Sequence, residues 1–347
     1  MLKKRLSIVD IANKLNISKT TVSFILNGRA KEKRISEELV ARVLKFVDEV
    51  GYKPNSLAKS LRTGKSNIIG LMVENISDYF FANIARHIED RAYKNGYKII
   101  YCSTDNDAAK TSELIAMFRD RHVDGYIIAP PPGIESEVAA LLKDELPVVL
   151  FDRYFPGIDS SYVVTDNLYG TYNATQYLVD QGYKNIAFVT FESDQTQMQA
   201  RMDGYKKALK ENGLTPQIKE VVFNQDSKRI IEPITDFMKN KDFDAVLFGT
   251  NWVGNCGLKV LANLGLRIPD DIAVISFDDN DLFELYSPSV TAIAQPLEEI
   301  ADKVITMLLN QMNNRNENVK PEQVTLKTEL KIRGSSSVST PMVLVSK

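Results

Sequence analysis

The chain has 347 residues, of which 44% are hydrophobic and 25% are charged, so it is long enough for two or three globular domains with buried cores. Its two cysteines, Cys102 and Cys256, are too few for a disulfide framework or a thiolate metal site, and we expect both to be reduced core residues. No segment approaches the roughly 20 apolar residues that a transmembrane helix needs. The first residues show no signal-peptide pattern, so we expect a cytoplasmic protein without a membrane partner.

The net charge of −2 conceals an uneven distribution of charge along the chain. Residues 1–65 hold 15 Lys and Arg against 6 Asp and Glu, a net charge of +9, so the remainder carries −11. A basic N-terminal segment on an acidic body indicates a polyanion as the partner of that segment alone. Charge runs are usually only solvated faces, so this pattern indicates nucleic acid only in combination with a DNA-binding motif.

Residues 6–28 read as two short helices joined by a tight turn. Ser7 is a good N-cap for the first helix, and Asp10 stands where it completes a capping box. Ser18 is placed to cap the second helix, and Gly28 tolerates the left-handed conformation of a C-cap. Helix, short turn and helix is the layout of a DNA-reading helix-turn-helix.

The second helix has two chemically different faces at about 100° per residue. The apolar face, which must pack on the core, consists of Val22, Ile25 and Leu26. The opposite face carries Lys19, Thr20, Ser23 and Phe24. A lone outward phenylalanine more often covers a neighbouring element than touches a partner. The polar and basic side chains beside it favour contact of Phe24 with a partner.

A third helix and a linker follow. Ser36 is placed to cap a helix that Gly51 ends, which completes a small headpiece of three helices. Between the second and third helices, residues 29–34 form a basic loop suited to phosphate groups. The linker can form a helix over residues 55–62, well below the ~12–15 residues at which isolated helices become marginal in water. We therefore expect it to fold only against a partner.

From Ser66 onward, apolar strands alternate with amphipathic helices, the pattern of parallel α/β sheets. The strands are predicted at 68–73, 97–101, 125–129 and 148–151, and in a second set at 186–189, 220–223, 245–249 and 272–276. Two doubly wound halves in tandem enclose a cleft lined by the carboxyl ends of their strands. The Ser-rich stretch 335–347 is predicted to be a flexible tail.

A series of different short motifs follows the helix-turn-helix along the chain. They lie at 51–64, 75–81, 123–125, 151–153, 164–167, 201–205, 250–251, 275–279 and 291–296. In this order they resemble the lactose/galactose-repressor family of bacterial transcription regulators. A lone helix-turn-helix would be weak evidence, whereas an ordered set that runs from about residue 6 to Gly334 is specific.

The resemblance implies a small all-α helix-turn-helix headpiece followed by an α/β core of two doubly wound subdomains, similar to a periplasmic binding protein. The implied bounds are 1–50 for the headpiece, 51–65 for a hinge helix, 66–334 for the core and 335–347 for the tail. Within the core, the N-subdomain takes residues 66–165 and 296–325, and the C-subdomain takes residues 166–293 and 326–334. Such a protein is expected to repress transcription as a homodimer on near-palindromic double-stranded DNA, controlled by a small effector, a sugar or sugar derivative, between the subdomains.

The resemblance also places residues on DNA. Lys19, Thr20 and Phe24 would read base edges in the major groove, and Ser18, Thr21, Ser23 and Asn27 would complete that face. In the hinge, Asn55 and Ala58 would touch the minor groove, and Leu61 would be an apolar wedge at the central base step, its alternative being a helix–core contact. Relatives commonly carry arginine in place of Phe24. Because phenylalanine lacks bidentate contacts to guanine but fits a thymine methyl, we expect a thymine in that half-site position.

The effector site implied by the resemblance comprises Tyr79, Phe80, Asp152, Arg201, Asn251, Trp252, Asp278 and Gln295. Carboxylates, amides and a guanidinium beside an aromatic face are the groups that bind polyols. Arg201 offers a forked donor for two vicinal hydroxyls or a carboxylate, with a surface ion pair as its alternative. Asp278 as a strand-end cap and Tyr79 as a packing residue are likewise open alternatives. Relatives often carry an acid in place of Trp252, which leaves the class of effector open.

Other chemistries find little support in the sequence. The Asp278–Asp281 run resembles a calcium loop, but Leu282 and Phe283 occupy positions that need an oxygen ligand and a glycine. There is no P-loop, no glycine-rich dinucleotide turn and no nucleophile elbow beside the two histidines, so we expect neither an enzyme nor a cofactor. The alternative function is a sugar-binding transport receptor, which shares the core fold but needs a signal peptide and has no use for residues 1–64.

Overall fold

The computed structural model describes residues 6–52, 64–223, 226–239, 242–314 and 320–337. The chain divides into two units, Met1–Ser66 and Asn67–Lys347. The predicted hinge contacts Asn55, Ala58 and Leu61 lie outside the described residues.

The first unit contains the helices α1 (Ile8–Leu15), α2 (Lys19–Leu26) and α3 (Glu37–Glu49). Each begins after a serine whose hydroxyl accepts a backbone N–H of the first turn: Ser7, Ser18 and Ser36. Ser7 and Asp10 form a complete capping box. Caps of this kind stabilise a helix by about 1 kcal/mol each.

A small apolar core joins these three helices. It consists of Ile11, Ala12, Val22, Ile25 and Val43, all buried. Burying a large aliphatic side chain stabilises the fold by roughly 1.5–3 kcal/mol. Since α1 and α2 have only eight residues each, these contacts, and not helix propensity, hold them in the helical state.

The second unit begins with a parallel sheet. Its strands are β1 (Ile68–Val73), β2 (Lys98–Ser103), β3 (Gly125–Ile128), β4 (Val148–Phe151), β5 (Ser161–Thr165) and β11 (Gln323–Leu326), in the order β11-β5-β4-β3-β1-β2. One face is covered by α4 (Tyr79–Lys94) and α12 (Leu297–Asn313), the other by α5 (Ala108–Asp120) and α6 (Glu135–Lys143). Because both faces are buried, the central strands are continuous apolar runs.

The second sheet repeats this architecture with one antiparallel edge. Its strands are β6 (Ile186–Phe191), β7 (Gln217–Val221), β8 (Ala245–Phe248), β9 (Ala273–Phe277), β10 (Thr291–Ala294) and β12 (Glu329–Lys331), in the order β12-β10-β9-β8-β6-β7. One face is covered by α7 (Asn167–Asp180) and α8 (Thr196–Glu211), the other by α9 (Lys228–Lys239) and α10 (Asn251–Leu264). A short helix, α11 (Asp281–Leu285), follows β9. We call the two sheets with their helices the N-subdomain and the C-subdomain.

The chain passes between the subdomains three times, after β5, after β10 and after β11. The Thr165 hydroxyl donates to Gln295 Oε1 at 2.8 Å, which joins the first crossing to the second. Asp166 Oδ1 accepts from both the backbone N–H and the hydroxyl of Thr328 at 2.7 Å, which joins the first crossing to the third. The crossings therefore form one hydrogen-bonded hinge at the base of the cleft.

Apolar runs located β1 to β4, β6, β8 and β9, but not the last two strands at one end of each sheet. The structure adds β5, β10, β11 and β12, which have only three to five residues each, and the helix α12. The prediction of a strand at 220–223 is shifted, since β7 occupies Gln217–Val221. As an edge strand, β7 carries polar side chains and lacks the apolar run on which the prediction relied.

The prediction of a flexible tail from Ser335 onward is wrong for its first residues. Ser335 and Ser336 are fully buried. The Ser335 hydroxyl donates to the Val274 carbonyl at 2.6 Å and accepts the Thr291 N–H at 2.8 Å. Serine-rich composition indicates a loose segment only when the hydroxyls are solvated, and here the backbone around β9 and β10 satisfies them. Residues 338–347 lie outside the described part of the chain.

Candidate functional site

In the headpiece, the predicted DNA-reading face of α2 divides into free and internally bonded side chains. Lys19 and Thr20 are exposed. The Ser18 hydroxyl accepts the Thr21 N–H at 3.0 Å and lies 2.8 Å from the Thr21 hydroxyl, so both serve the helix N-terminus. This leaves Lys19 and Thr20 as the residues of this turn that are available to base edges.

At the other end of α2, Asn27 and Ser23 are hydrogen bonded to each other. Asn27 Nδ2 donates to the Ser23 carbonyl at 2.6 Å and approaches the Ser23 hydroxyl at 3.3 Å. These bonds close the last turn, where the backbone leaves α2 for the basic loop. Both residues therefore support the end of the helix in addition to any contact with DNA.

Phe24 is half-buried and lies under two cations of the following loop. Arg29 Cζ is 5.7 Å and Lys33 Nζ is 5.4 Å from the ring centroid. Glu32 pairs with Arg29 at 2.6 Å and with Lys33 at 3.0 Å. The aromatic ring is thus part of a basic cluster and is less exposed than the helical pattern predicted.

In the core, Asp152 and Asp278 occupy equivalent positions in the two sheets. Each directly follows a phenylalanine at the end of the third strand in its sheet, β4 or β9, and each has a φ of 66°. A left-handed backbone is uncommon for aspartate and turns the chain sharply out of the strand. The two carboxylates therefore come from the carboxyl edges that face the cleft.

Arg201 and Asp278, two of the predicted effector residues, are in contact. The guanidinium is 3% exposed, and its Nη1 lies 3.5 Å from Asp278 Oδ2. Nη1 also donates to the Gly249 carbonyl at 2.8 Å, and Nε donates to Asn167 Oδ1 at 2.9 Å. Phe277 lies against the guanidinium plane, 3.6 Å from Cζ to the ring centroid. The surface ion pair considered from the sequence is therefore wrong.

Close packing of α8 on α7 fixes this arginine. A Cβ added at Gly204, three residues after Arg201, would lie 2.2 Å from the Leu168 carbonyl oxygen. Only glycine permits this approach, which explains its place in the motif at 201–205.

Gln295 and Tyr79 bring the two subdomains together beside Asp278. Gln295 Nε2 donates to Asp278 Oδ1 at 2.6 Å. The Tyr79 hydroxyl donates to Asp281 Oδ1 at 3.0 Å, from α4 to α11. Tyr79, Phe80, Asp278 and Gln295 line one cavity of about 150 Å³.

A second bridge between the subdomains centres on Arg153, which the sequence analysis did not select. Its side chain is buried, and it donates to Gln195 Oε1 at 2.6 Å, to Glu74 Oε2 at 3.0 Å and to Asn106 Oδ1 at 3.0 Å. Gln195 precedes α8 in the C-subdomain, whereas the other three residues belong to the N-subdomain. The motif at 151–153, from which the resemblance implies Asp152 as an effector residue, also contains this arginine.

Asn251 and Trp252 begin α10 and separate in space. Asn251 is buried at the carboxyl end of β8. The structure does not bring Trp252 to Arg201 or Asp278: its indole packs on the hydrophobic core of the C-subdomain, with its ring centroid 6.0 Å from that of Phe223. Its buried indole Nε1 has no hydrogen-bond partner among the described residues.

Burial and like charges shift two carboxyl groups of the cleft. Desolvation raises the pKa of Asp152 to about 6, with the charges of Asp278 and Glu74 adding to the shift and those of Arg153 and Arg201 opposing it. The pKa of Asp78 is also raised to about 6, by desolvation and then by Asp278. The N–H groups of the α4 N-terminus that Asp78 accepts reduce that shift.

Among the described residues, no three His, Cys, Asp or Glu side chains are grouped so that they would hold a metal ion. In the same part of the chain, no helix has the length and apolarity to cross a membrane.

Comparison with known proteins identifies the family. Residues 7–55 match the model of the bacterial regulatory proteins of the lacI family, and residues 175–336 match a periplasmic binding protein-like domain. Catabolite control protein A of Priestia megaterium is 30% identical over 335 residues, which cover 95% of this chain and 99% of that protein. This chain belongs to the lacI family. It is a DNA-binding transcriptional regulator, and the alternative of a transport receptor without a DNA role is wrong because the family model includes the headpiece.

Solved structures of the lacI family share its fold. The lac repressor dimer bound to operator and the anti-inducer ONPF has a TM-score of 0.83 at 20% identity, over 96% of this chain and 100% of that chain. A LacI family regulator from Enterococcus faecium with bound ribose has a TM-score of 0.70 at 26% identity, over 78% of this chain and 98% of that chain. The fold extends over headpiece and core in the first comparison.

Proposed function

We propose that this lacI-family regulator represses transcription in the cytoplasm as a homodimer on a near-palindromic operator, and that a sugar or sugar derivative in the core cleft changes its operator affinity. The observation that carries the proposal is the buried group of Arg201, Asp278 and Gln295, since it combines forked donors with carboxylate and amide acceptors. Phe80 lines the same cavity as Asp278 and Gln295, and the buried Phe277 ring packs against the guanidinium of Arg201. This is the chemistry that recognises a polyol.

Effector residues are proposed on both walls of the cleft. Asp152, Tyr79 and Phe80 stand on the N-subdomain, and Arg201, Asn251 and Asp278 on the C-subdomain, with Gln295 at the hinge. Arg153 and Gln195 join this set because they bridge the walls. We leave Trp252 out of it, since its ring contacts the hydrophobic core instead.

A ligand that binds both walls favours one angle between the subdomains. The hinge of three hydrogen-bonded crossings converts that preference into a rotation of the N-subdomain against the C-subdomain. In the dimer, this rotation would change the separation of the two linkers 51–65 and so the ease with which they fold on DNA. A typical coupling of ~1–3 kcal/mol corresponds to about 5–150-fold in operator affinity.

The homodimer is supported by the dimeric lac repressor neighbour and by an unusual surface. On α11, Leu282 is 51% and Leu285 is 83% exposed. Two large aliphatic side chains on one short helix are costly in water and are a suitable centre for a contact between two copies.

The experiment separates DNA binding from effector response. Operators are first selected from genomic fragments with the full-length protein, and affinity is then measured by fluorescence anisotropy with a panel of sugars. Arg201→Gln is expected to keep operator affinity and to lose the response to the sugar that acts on the wild type. Arg267→Gln, at a side chain that is 70% exposed, is the control and should respond normally. An unchanged response in Arg201→Gln would contradict the proposed site.

A further inference from the structure

The charged side chains of the cleft carry an excess of negative charge. Glu74, Asp78, Asp152 and Asp278 interact with one another and with Arg153 and Arg201. With all six groups ionised, the cluster has a net charge of −2. Asp152 and Asp278 belong to different subdomains and their charges repel each other, so this charge opposes closure of the cleft when it is empty or holds an anion.

Both cations are already engaged within the protein. Arg153 donates through its two Nη atoms to Gln195, Asn106 and Glu74, whereas its buried Nε has no hydrogen-bond partner among the described residues and lies 3.8 Å from Asp152 Oδ2. Arg201 donates through Nε to Asn167 and through Nη1 to the Gly249 carbonyl. A guanidinium binds an anion through one of two nitrogen pairs, Nε with Nη2 or Nη1 with Nη2, and in Arg201 one nitrogen of each pair already donates within the protein. A bidentate contact to a ligand carboxylate or phosphate would require loss of one of these buried bonds.

The acceptors of Gln197 and Asp152 are also incompletely satisfied. Gln197 is 5% exposed, and its buried Oε1 has no hydrogen-bond partner among the described residues. Among the described residues, the side chain of Asp152, which is 9% exposed, has two long polar contacts to other side chains: 3.5 Å to Gln197 Nε2 and 3.8 Å to Arg153 Nε. Buried acceptors without donors are unfavourable unless a ligand supplies those donors.

We infer that the effector is a donor-rich molecule without negative charge, either a neutral polyol or an amino sugar, and that phosphorylated and acidic sugars are excluded. This inference rests on the proposed function and narrows its ligand class. Hydroxyl or ammonium groups placed between Asp152 and Asp278 satisfy both carboxylates and remove their repulsion across the cleft. An anion adds to that repulsion and finds no free guanidinium fork.

The direct test uses matched charge forms of the same sugar on the full-length protein at pH 7.5. D-Glucose, D-glucosamine, D-gluconate and D-glucose 6-phosphate form one set, and D-ribose and D-ribose 5-phosphate another, each titrated by thermal shift and calorimetry. For a sugar that binds, the neutral or amino form is expected to bind at least about tenfold more tightly than its anionic form. Tightest binding by an anionic form would overturn the inference.

A second arm needs no ligand. Asp152→Asn removes one of the opposed charges with little change of shape and is expected to raise the melting temperature of the ligand-free protein by about 2–4 °C. Asp203→Asn, at an exposed position on α8, is the control and should leave it unchanged. A lower melting temperature for Asp152→Asn would contradict the charge argument. If Asp152→Asn stabilises the protein but no sugar in any charge form binds, the sugar effector of the proposed function fails while the charge excess stands.

Discussion

The Tyr79 hydroxyl donates to Asp281 at 3.0 Å and so joins α4 of the N-subdomain to α11 of the C-subdomain. This bridge shares no residue with the Arg153–Gln195 bridge. The cleft is therefore spanned by two separate hydrogen-bonded bridges, each with one member on either subdomain.

Tyr79→Phe removes one bridge without removing the ring. A hydrogen bond to a charged group contributes roughly 1.5–3 kcal/mol at most, and less where solvent competes, so effector affinity should change by about 3–10-fold. Operator affinity without effector should shift as well, because the bridge biases the same rotation. Anisotropy and calorimetry measure the two effects. Tyr93→Phe, on the same helix and 76% exposed, should change neither.

The pH dependence of stability should differ between the wild type and Asp152→Asn. The pKa of Asp152 is raised to about 6, above its value of 3.8 in the unfolded chain, so folding favours the protonated form. The stabilisation that results from protonation of Asp152 in the folded state is fully present below pH 3.8 and is lost as the pH rises through 6. The stability advantage of the Asn variant should thus be largest above pH 7 and should be smaller by about 1.4 kcal/mol at pH 5. Denaturant unfolding at pH 5 and 7.5 measures it; an equal advantage at both would contradict the raised pKa.

Gly204→Ala should destabilise the core and impair effector binding together. The added methyl group would meet the Leu168 carbonyl, a backbone atom that cannot move aside without shifting α7. Overpacking of this kind costs about 1–3 kcal/mol, and the shift of α8 displaces Arg201. Gly157→Ala, where a Cβ would meet nothing within 4 Å, should stay within about 0.5 kcal/mol of the wild type.

Phe24→Arg should change the base preferred at one position of each half-site from thymine to guanine. Phenylalanine offers only apolar contact with the thymine methyl, whereas arginine forms two hydrogen bonds to guanine. Binding-site selection with both proteins measures the change. Leu44→Arg adds the same side chain on α3, where Leu44 is 47% exposed, and should leave the preferred bases unaltered. An unaltered motif with Phe24→Arg would show that Phe24 does not read that base.

Leu285→Glu should weaken self-association. If the exposed leucines of α11 meet their counterparts in a second copy, two carboxylates would be brought together at the centre of that contact, and dissociation should rise by at least about tenfold. Sedimentation velocity measures the change, with operator affinity falling in parallel. Tyr169→Glu, at a residue 57% exposed on α7, is the control. A dimer that is as stable as the wild type would place the contact elsewhere.

The features that the sequence predicted correctly depend on interactions between residues close together in the chain. The caps at Ser7, Ser18 and Ser36 depend on neighbours within four residues, and the central strands on unbroken apolar runs, so both were visible. The family likeness selected Arg201 and Asp278, which do meet. The bridge from Arg153 to Gln195 depends on the angle between two subdomains, which no local pattern encodes.

The same reasoning explains Trp252. Sequence position places it next to Asn251, but only packing decides what an adjacent helical side chain contacts, and the indole of Trp252 contacts the hydrophobic core. The buried Ser335 was missed for a related reason: its partners, Val274 and Thr291, lie 61 and 44 residues away along the chain.

The threefold passage of the chain between subdomains has a consequence for biosynthesis. β11 (Gln323–Leu326) completes the first sheet beside β5, and α12 covers that sheet together with α4, yet both are synthesised after β10 of the other subdomain. The N-subdomain therefore cannot finish folding when residues 67–165 have emerged from the ribosome, because the helix that covers one face of its sheet and the strand at its edge are still to be synthesised. Neither half of the core can be excised as a single continuous fragment, so a nonsense mutation before Gln323 removes a structural element from both.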